Sequence, residues 1–430
     1  MKLADALTVK SSLPGASARK AHHAFSDIES FRNSVGLGKT GKFPVTLLGA
    51  SNANGHAGAE LKLAYDTARA FAGEGYTVLV GHYGGISKKA LAGAGKSGLL
   101  VERRGKGASA QGDFAKVEVE TQLMHKHVLG GYSCAIVVHP GGFETLDKFT
   151  EFICLMQIGA MGKTPVIFLD SGDGYWNGFF DWVRGMPVAR GLISERDMGV
   201  VHTASSPAAA IEIVKSKGAT PVFPHVGDLW KLANGYGRDV DKGTRVLEGF
   251  GAPIATIFGS ARTTPDDPVY AWVRETSSML SGMGVKVVTG GGSGIMEAAA
   301  LGAGKDGFGF IPQFLTAREK PSGNYMEVET MNSRKEILVH EKTSAFLAFP
   351  GGFGTQDEIF EIVARARHGD IPRVPIFLMG RDFWQGLVDW LQKPLEKGFI
   401  TERDLGMFRL TDSSDDVRAY FKKEVLSRGK

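Results

Sequence analysis

Cysteine is scarce in this sequence of 430 residues. Only Cys134 and Cys154 occur, and both lie inside apolar segments. Two such residues indicate buried, reduced thiols and do not support a disulfide framework or a redox centre. The sequence contains neither the CxxC nor the HExxH spacing, so it predicts no metal site.

Excess charge and long apolar runs are also lacking. The formal net charge is only +4, which gives no support for a nucleic-acid or membrane-surface partner. No apolar run reaches the roughly 18 residues of a membrane-spanning helix, and the first residues form no hydrophobic signal core. With 43% hydrophobic and 22% charged residues, the chain is predicted to be a globular cytoplasmic protein without nucleic-acid or membrane partners.

Glycine, in contrast, is abundant, with 58 residues, and its loops occur twice. The stretch "VTLLGASNANGHAGAE" from Val45 matches "IATIFGSARTTPDDPV" from Ile254. The stretch "HPGGFETLDKFTEF" from His139 matches "FPGGFGTQDEIFEI" from Phe349. Five such blocks follow one another in the same order in both halves. The sequence therefore predicts a tandem duplication of one domain of about 200 residues.

The repeat divides the chain into four predicted regions. These are an N-terminal extension (1–43), a first domain (44–215), a linker with one short helix (216–251) and a second domain (252–430). Within each domain, continuous apolar strands alternate with helical segments. This alternation predicts an α/β fold whose parallel sheet is covered by helices on both faces. Ligands of such sheets bind at the carboxyl ends of the strands.

Three loops of the second domain are predicted to meet at that edge. They are "GSAR" (Gly259 to Arg262), "TGGGSGIM" (Thr289 to Met296) and "PGGFGT" (Pro350 to Thr355). A glycine turn that enters a helix exposes backbone N–H groups at the positive helix end, which suits a phosphate. The dinucleotide fingerprint GxGxxG does not follow the first strand of either half, which disfavours a nicotinamide enzyme.

The first half differs from the second at each of these loops. Glu144 and Lys148 stand where the second half has Gly354 and Glu358, and an ungapped match sets Met124 opposite Arg334. Further replacements are His82 for Gly291, Tyr83 for Gly292, Lys88 for Glu297 and Asn52 for Arg262. We interpret the first half as a domain that has kept its fold and lost its ligand site.

Glu358 has a purely structural alternative. Thr355 and Glu358 have the spacing of a capping box, in which the glutamate stabilises the start of the helix. The first half keeps Thr145 but carries Lys148, and a lysine opposes the helix dipole at that place. The helix therefore does not need the carboxylate, which favours a chemical role for Glu358.

The motifs "FGSAR", "TGGGSGIMEAA", "SRK" and "PGGFGTxxE" resemble those of the LOG (Lonely guy) family of phosphoribohydrolases, formerly labelled lysine decarboxylase-like. The resemblance implies two tandem Rossmann-like α/β domains, of which the first is degenerate. It implies hydrolysis of the N-glycosidic bond of nucleoside 5′-monophosphates, such as AMP or cytokinin riboside monophosphates, with no metal or organic cofactor. The products are a free base and ribose 5-phosphate.

The same resemblance implies roles for individual residues. Arg334 and Glu358 match the catalytic pair of the family. Arg334 precedes Pro350 by 16 residues, one more than the family spacing, which makes its position on the helix a question for the structure. The predicted substrate-binding residues are Gly259, Ser260, Arg262, Gly291, Gly292, Gly294, Met296, Lys335, Gly351, Gly352, Gly354 and Thr355.

Two functional hypotheses remain open. One is a nucleosidase whose active site lies in the second half, and the other is a nucleotide-binding sensor that does not turn its ligand over. A decarboxylase is rejected because no lysine has a recognisable pyridoxal-phosphate setting. The two halves are predicted to pack as an intramolecular pseudo-dimer. Base specificity and homo-oligomerisation are left open.

Overall fold

Two seven-stranded sheets form the framework of the chain. The computed structural model describes residues 42–51, 58–103, 112–119, 122–219, 226–316 and 321–429. The predicted N-terminal extension lies outside the described residues except for Lys42 and Phe43, and so does Asn52. No helix among the described residues is both long and apolar enough to cross a membrane.

The first repeat alternates strands and helices along the chain. Its strands are β1 (Val45–Leu48), β2 (Val78–Val80), β3 (Gly98–Arg103), β4 (Ala115–Val119), β5 (Ala135–Val138), β6 (Val166–Leu169) and β7 (Val201–Ala204). Its helices are α1 (Gly58–Gly73), α2 (Gly85–Ala94), α3 (Gln122–Gly131), α4 (Phe143–Gln157), α5 (Asn177–Val183), α6 (Glu195–Met198) and α7 (Pro207–Lys217).

The second repeat follows the same order. Its strands are β8 (Ile254–Phe258), β9 (Lys286–Thr289), β10 (Gly307–Pro312), β11 (Asn324–Val328), β12 (Thr343–Ala348), β13 (Ile376–Met379) and β14 (Phe408–Thr411). Its helices are α8 (Val226–Gly249), α9 (Pro268–Gly282), α10 (Ile295–Ala303), α11 (Gln313–Thr316), α12 (Met331–Leu338), α13 (Phe353–His368), α14 (Arg381–Trp390), α15 (Gln392–Glu396), α16 (Glu402–Leu405) and α17 (Ser414–Tyr420).

Both sheets have the predicted parallel arrangement. The strand orders are β4-β3-β2-β1-β5-β6-β7 and β11-β10-β9-β8-β12-β13-β14, and paired strands run parallel, as between β8 and β12. The central strands are mostly apolar, and all their residues are buried except the half-buried Ser344 of β12, as expected for a sheet covered on both faces. From β8 the chain adds strands β9 to β11 on one side of the sheet and then strands β12 to β14 on the other. The direction of strand addition therefore changes between β8 and β12. This switch point is where open α/β sheets bind ligands.

The chain divides into two compact units that do not coincide with the two repeats. Unit 1 contains the described residues up to Gly178, together with Glu195–Asn234 and Gln392–Thr401. Unit 2 contains Phe179–Ser194, Gly235–Leu391 and the residues from Glu402 onward. Each unit therefore includes one short segment that belongs to the other repeat in sequence.

The segment Phe179–Ser194 is an integral part of unit 2. The Trp182 indole N–H donates a hydrogen bond to the Phe383 carbonyl at 2.7 Å, and the Trp182 ring stacks on Trp384 with centroids 5.8 Å apart. In unit 1, the Tyr175 ring contacts Phe399 of the other exchanged segment, with centroids 5.9 Å apart. Buried aromatic packing thus anchors both segments.

The region predicted as a linker with one short helix differs from that expectation. It contains α8, which has 24 residues, and its part from Gly235 onward belongs to unit 2. The linker was predicted from its glycine and charged residues, because these residues are usual in loops. In this helix Gly235 and Gly243 lie where α8 approaches other residues closely.

The extra residue before Pro350 is inserted ahead of β12. The Ser133 hydroxyl lies 2.8 Å from the Thr46 hydroxyl, and in the second repeat the Thr343 hydroxyl lies 3.2 Å from the Thr256 hydroxyl. Thr46 and Thr256 occupy the same place in the two first strands, so Ser133 corresponds to Thr343. The connection between α12 and β12 therefore contains the additional residue.

Unit 1 buries a histidine without a hydrogen-bond partner. His139 follows β5, is fully buried, and neither of its ring nitrogens has a partner in the described part of the chain. Burial lowers the pKa of His139 to about 4, so the ring is neutral at physiological pH. Phe349 is the corresponding residue of the second repeat, and it is also fully buried.

We predict that His139→Phe makes the protein less sensitive to acid. The histidine of the unfolded chain has a pKa of about 6.5. Below that pH the unfolded state binds a proton that the folded state does not, so the free energy of unfolding falls as the pH drops toward 4. The unfolding free energy of His139→Phe relative to wild type should rise by about 2 kcal/mol between pH 7.5 and pH 5. Urea unfolding at both pH values measures this. The reciprocal Phe349→His should gain acid sensitivity, and equal pH dependence of all three proteins would contradict the prediction.

Candidate active site

Backbone hydrogen bonds hold the three predicted loops of unit 2 side by side. The Ser260 N–H donates to the Pro350 carbonyl at 3.1 Å, and the Ile295 N–H donates to the Ser260 carbonyl at 3.0 Å. The Ser293 hydroxyl donates to the Ala261 carbonyl at 3.0 Å. The loops after β8, β9 and β12 thus meet at the switch point of the sheet.

The turn after β12 presents backbone N–H groups that have no partner within α13. This helix begins at Phe353, and its N-cap, Gly352, has no side-chain cap. The first intrahelical bond of the turn joins the Gln356 N–H to the Gly352 carbonyl. The N–H groups of Phe353, Gly354 and Thr355 precede it and are not used by the helix. Glu358 lies one turn further on, so the capping-box geometry with Thr355 does not form.

Glycine at positions 351 and 352 is required by close approach. A Cβ on Gly351 would lie 2.1 Å from the Thr355 hydroxyl, and a Cβ on Gly352 would lie 2.6 Å from the Leu192 carbonyl. Real Cβ contacts are never this short. Leu192 comes from the exchanged segment Phe179–Ser194, so a segment of the first repeat borders the glycine turn of unit 2. Gly354 is exposed.

The loops after β8 and β9 also depend on glycine. Gly291 and Gly294 have positive φ angles of 73° and 66°, which residues with a Cβ rarely adopt. Gly259 lies against the Ile295 side chain, and Gly292 lies against the methyl group of Met296. These four predicted residues thus shape the backbone around the site.

Arg334 and Glu358 form a buried ion pair beside the turn. The distance from Arg334 Nη2 to Glu358 Oε1 is 3.0 Å, and the two residues are only 7% and 6% exposed. The Arg334 Nε–H has no hydrogen-bond partner among the described residues. The sulfur atoms of Met296 and Met331 lie 3.8 Å from the guanidinium. The buried Nε–H of Arg334 could therefore donate a hydrogen bond to a ligand.

The pKa of Glu358 reflects two opposing effects. Burial raises it above the ordinary value for a glutamate, while the charges of Arg334 and Lys335 and the hydrogen bond from Arg334 limit the rise. A carboxylate with a raised pKa is a stronger base than one in water. The pair therefore combines a fixed positive charge with a basic oxygen.

Gly290 belongs to the site and was missed by the sequence analysis. A Cβ on this residue would lie 2.2 Å from Arg334 Nη2, so only glycine lets the guanidinium reach Glu358. Gly81 occupies the same place in the first repeat, where a Cβ would lie 2.9 Å from the His125 ring. The sequence does contain a signal for this residue, because the glycine is present in both repeats although the two residues that follow it differ.

Lys335 and Arg262 are occupied within the protein. Lys335 Nζ lies 2.8 Å from Asp357 Oδ1 and 2.6 Å from Glu361 Oε2, and all three residues are buried. This pairing gives Lys335 a structural role that needs no ligand. Arg262 is exposed and donates a hydrogen bond from Nη1 to the Leu192 carbonyl at 3.1 Å.

Unit 1 repeats the lysine cluster but not the pair of Arg334 and Glu358. Lys126 Nζ lies 2.8 Å from Asp147 Oδ1 and 2.6 Å from Glu151 Oε2, which are the distances that Lys335 makes in unit 2. Lys126 therefore corresponds to Lys335, and the residue before it, His125, corresponds to Arg334. The ungapped match that set Met124 opposite Arg334 was wrong, because the second repeat has one additional residue between Lys335 and β12.

His125 and Lys148 close the corresponding place in unit 1. His125 Nε2 donates to the carbonyls of Gly81 and Val101, and Lys148 Nζ donates to the Glu144 carbonyl at 3.1 Å. Burial and the Lys148 charge lower the pKa of His125 to about 3, and burial lowers the pKa of Lys148. The remaining cavity, of about 10 Å³, has space for roughly one water molecule.

Comparison with known proteins assigns the family. The family model described as "Possible lysine decarboxylase" matches residues 75–214 and 293–421, more than half of the chain. The chain belongs to this family, which is the LOG family that its motifs predicted. The match covers both repeats, in agreement with a tandem duplication.

The similar proteins of known name match only part of the chain. A bifunctional cytokinin biosynthesis protein of Fusarium pseudograminearum is 27% identical over 188 residues, 38% of this chain and 39% of that protein. The probable cytokinin riboside 5′-monophosphate phosphoribohydrolase LOGL2 of Oryza sativa is 33% identical over 29% of this chain. The enzyme LOG2 of Arabidopsis thaliana is 32% identical over 27%. The chain spans 54% and 58% of the lengths of these last two.

Similarity to solved structures is weaker. The molybdenum cofactor binding protein of Rippkaea orientalis covers 41% of this chain and 96% of its own length, with 23% identity and a TM-score of 0.31. This similarity says nothing about what the present chain binds.

We predict that Arg334→Met raises the pKa of Glu358 further. Removing the guanidinium takes away both a charge and a hydrogen bond that favour the carboxylate, while burial continues to disfavour it. A pH titration of ¹³C-labelled glutamate carboxyl groups by NMR measures the pKa, with Glu358→Gln identifying the signal. Arg262→Met, which removes an exposed arginine, is the control and should leave the pKa unchanged. An unaltered Glu358 titration in Arg334→Met would contradict the proposed electrostatic coupling.

Proposed function

We propose that this protein hydrolyses the N-glycosidic bond of nucleoside 5′-monophosphates, of the AMP or cytokinin riboside monophosphate type, at a site in the second repeat. The observation that carries the proposal is the buried Arg334–Glu358 pair, 3.0 Å apart, beside a helix start with three free amides. The cytokinin riboside 5′-monophosphate phosphoribohydrolases among the relatives support the same substrate class.

The start of α13 is suited to the 5′-phosphate. The N–H groups of Phe353, Gly354 and Thr355 point from a positive helix end, which stabilises an anion. The Thr355 hydroxyl lies beside Gly351 in the same turn and adds a donor. Arg334 contributes its positive charge and its unpaired Nε–H to the phosphate or the ribose hydroxyls. Binding energy from the phosphate thus fixes the sugar for reaction.

Glu358 is placed to act on the sugar. Cleavage of a ribosyl C–N bond develops positive charge on C1′ and the ring oxygen, as in glycoside hydrolysis. A carboxylate at that position stabilises the charge and accepts a proton from the attacking water. The C1′–N bond breaks, the water oxygen bonds to C1′, and a proton is transferred to the leaving base. The products are ribose 5-phosphate and the free base, with one water consumed.

The described part of unit 1 has other groups at the places of Arg334 and Glu358. Lys148 replaces the carboxylate, and His125 replaces the guanidinium and is neutral at physiological pH. Glu144, in the place of Gly354, would repel a phosphate. We therefore assign catalysis to the second repeat alone.

A nucleotide-binding sensor of the same fold remains the second hypothesis. It would need the phosphate turn but not the carboxylate beside the sugar. The presence of both Arg334 and Glu358 favours the enzyme. The intramolecular pseudo-dimer, homo-oligomerisation and the cytoplasmic location stay predictions.

Glu358→Gln should reduce base release by about 10²- to 10⁴-fold, the usual contribution of a general acid–base group. The amide keeps the size of the side chain but neither accepts the proton nor carries the charge. Purified protein is incubated with AMP, GMP, CMP and isopentenyladenosine monophosphate, and free base is followed by chromatography. The matched control is Lys148→Gln, which changes the corresponding residue of the first repeat and should leave turnover unchanged. Binding of AMP by the wild type without base release from any nucleotide would instead support the sensor.

Gly354→Glu should weaken binding of the phosphate by charge repulsion. It installs the residue of the first repeat, Glu144, next to the free amides of α13, and we expect the KM for AMP to rise at least about tenfold. Gly354→Gln has the same size without the charge and should have a smaller effect. Adenosine, which has no phosphate, provides the control substrate. Equal KM values of the Glu and Gln variants for AMP would argue against a phosphate at this turn.

A further inference from the structure

We propose that α8 is a positioning element for the catalytic arginine, with Asp239 as its central residue. The inference rests on the proposed function, because it concerns the side chain that would bind the substrate. It gives a role to a region whose composition indicated a linker. The contacts lie within the part of unit 2 that begins at Gly235.

Asp239 fixes the start of α12, the helix that carries Arg334. Its Oδ2 accepts hydrogen bonds from the Glu329 N–H at 2.6 Å and from the Ser333 hydroxyl at 2.9 Å. The same Ser333 takes part in the capping box of α12, in which its N–H donates to the Thr330 hydroxyl at 3.0 Å. Arg334 is the next residue in the chain. One carboxylate therefore holds both the strand end before α12 and the first turn of α12.

Burial makes Asp239 costly unless these bonds are made. The residue is only 5% exposed, and no ion pair to it occurs among the described residues. A buried carboxylate that forms no ion pair is retained only where hydrogen bonds compensate its lost hydration. Burial raises the pKa of Asp239. The hydrogen bonds from Glu329 and Ser333 oppose the rise, and the charge of Lys242 opposes it less strongly. A linker residue would be solvated and would need neither bond.

Gly243 sets the distance between α8 and the arginine helix. A Cβ on Gly243 would lie 2.5 Å from Ile337 Cδ1, on α12. Gly237, in the same helix, has nothing within 4 Å of its Cβ position. Glycine destabilises a helix interior by about 1 kcal/mol relative to alanine. At position 243, but not at 237, close packing on α12 supplies a reason for it.

These contacts hold α12 on both sides of Arg334. Asp239 acts at Ser333, one residue before it, and Gly243 acts at Ile337, one turn after it. The guanidinium must stay within 3.0 Å of Glu358, and misplacement by about 1 Å can reduce catalysis 10²-fold. In the first repeat, Met124 occupies the place of Ser333 and cannot donate a comparable hydrogen bond. There the arginine is lost as well.

The test compares four variants of the full chain: Asp239→Ala, Asp239→Asn, Gly243→Ala and Gly237→Ala. We expect Asp239→Ala and Gly243→Ala to lower kcat for base release from AMP by about 10- to 100-fold. Asp239→Asn retains an acceptor oxygen and should recover part of the loss. Gly237→Ala, which meets no neighbour, should have wild-type kinetics.

The pH profile separates positioning from a merely structural effect. Glu358 faces Arg334 and Lys335 from α12 and Glu361 from its own helix. When Arg334 withdraws, the acidic limb of the kcat profile should move to higher pH. Hydrogen exchange should accelerate in α12 of Asp239→Ala and Gly243→Ala while α10 keeps wild-type protection.

The outcomes distinguish this inference from the proposed activity. Wild-type kinetics and wild-type exchange in Asp239→Ala and Gly243→Ala would overturn the positioning role, and so would an equal loss in Gly237→Ala. Exchange accelerated throughout unit 2 in both Asp239 variants would show a general structural role and would also overturn it. If the wild type releases no base, the proposed function fails, while faster exchange confined to α12 would still establish that α8 positions the arginine.

Discussion

The buried ion pair between Arg334 and Glu358 is the interaction on which the rest of the site depends. A guanidinium and a carboxylate that are both more than nine-tenths buried are tolerated only when they satisfy each other. The surrounding structure follows from that need. Gly290 leaves space for the guanidinium, and the turn before α13 brings the carboxylate to the same edge of the sheet. A ligand at this place meets a fixed charge, a base and free helix amides together.

The first repeat keeps the same fold without this ion pair. The first repeat keeps the sheet order, the glycine turn and the buried lysine cluster of Lys126 with Asp147 and Glu151. His125 and Lys148 stand in the places of Arg334 and Glu358, and burial lowers the pKa of both, which favours their neutral forms. Fold and chemistry have thus separated within one chain, because the core that forms the sheet is distinct from the few side chains that act at its edge.

Much of the architecture could be predicted because it is local. Apolar runs such as "IATIF" and "RVPIFLMG" indicated buried parallel strands, and these are β8 and β13. The loops after β8, β9 and β12 were placed at one edge by the rule that parallel strands share their carboxyl ends. The long helix α8 was not predicted, because its glycines read as loop residues. One of them, Gly243, packs closely on Ile337 of α12, about 90 positions further along the chain.

The sequence by itself determined the duplication, the family, the parallel α/β fold and the identity of the altered loops, since all of these are recorded in residue types and their order. Only the tertiary structure decided which residue of the first repeat replaces Arg334, because one residue inserted before β12 shifts the register by a single position. It also decided that Leu192 of the first repeat lies against the turn at Gly352, and that Lys335 is engaged by Asp357 and Glu361. These are contacts between distant segments, and they exist only after the chain has packed.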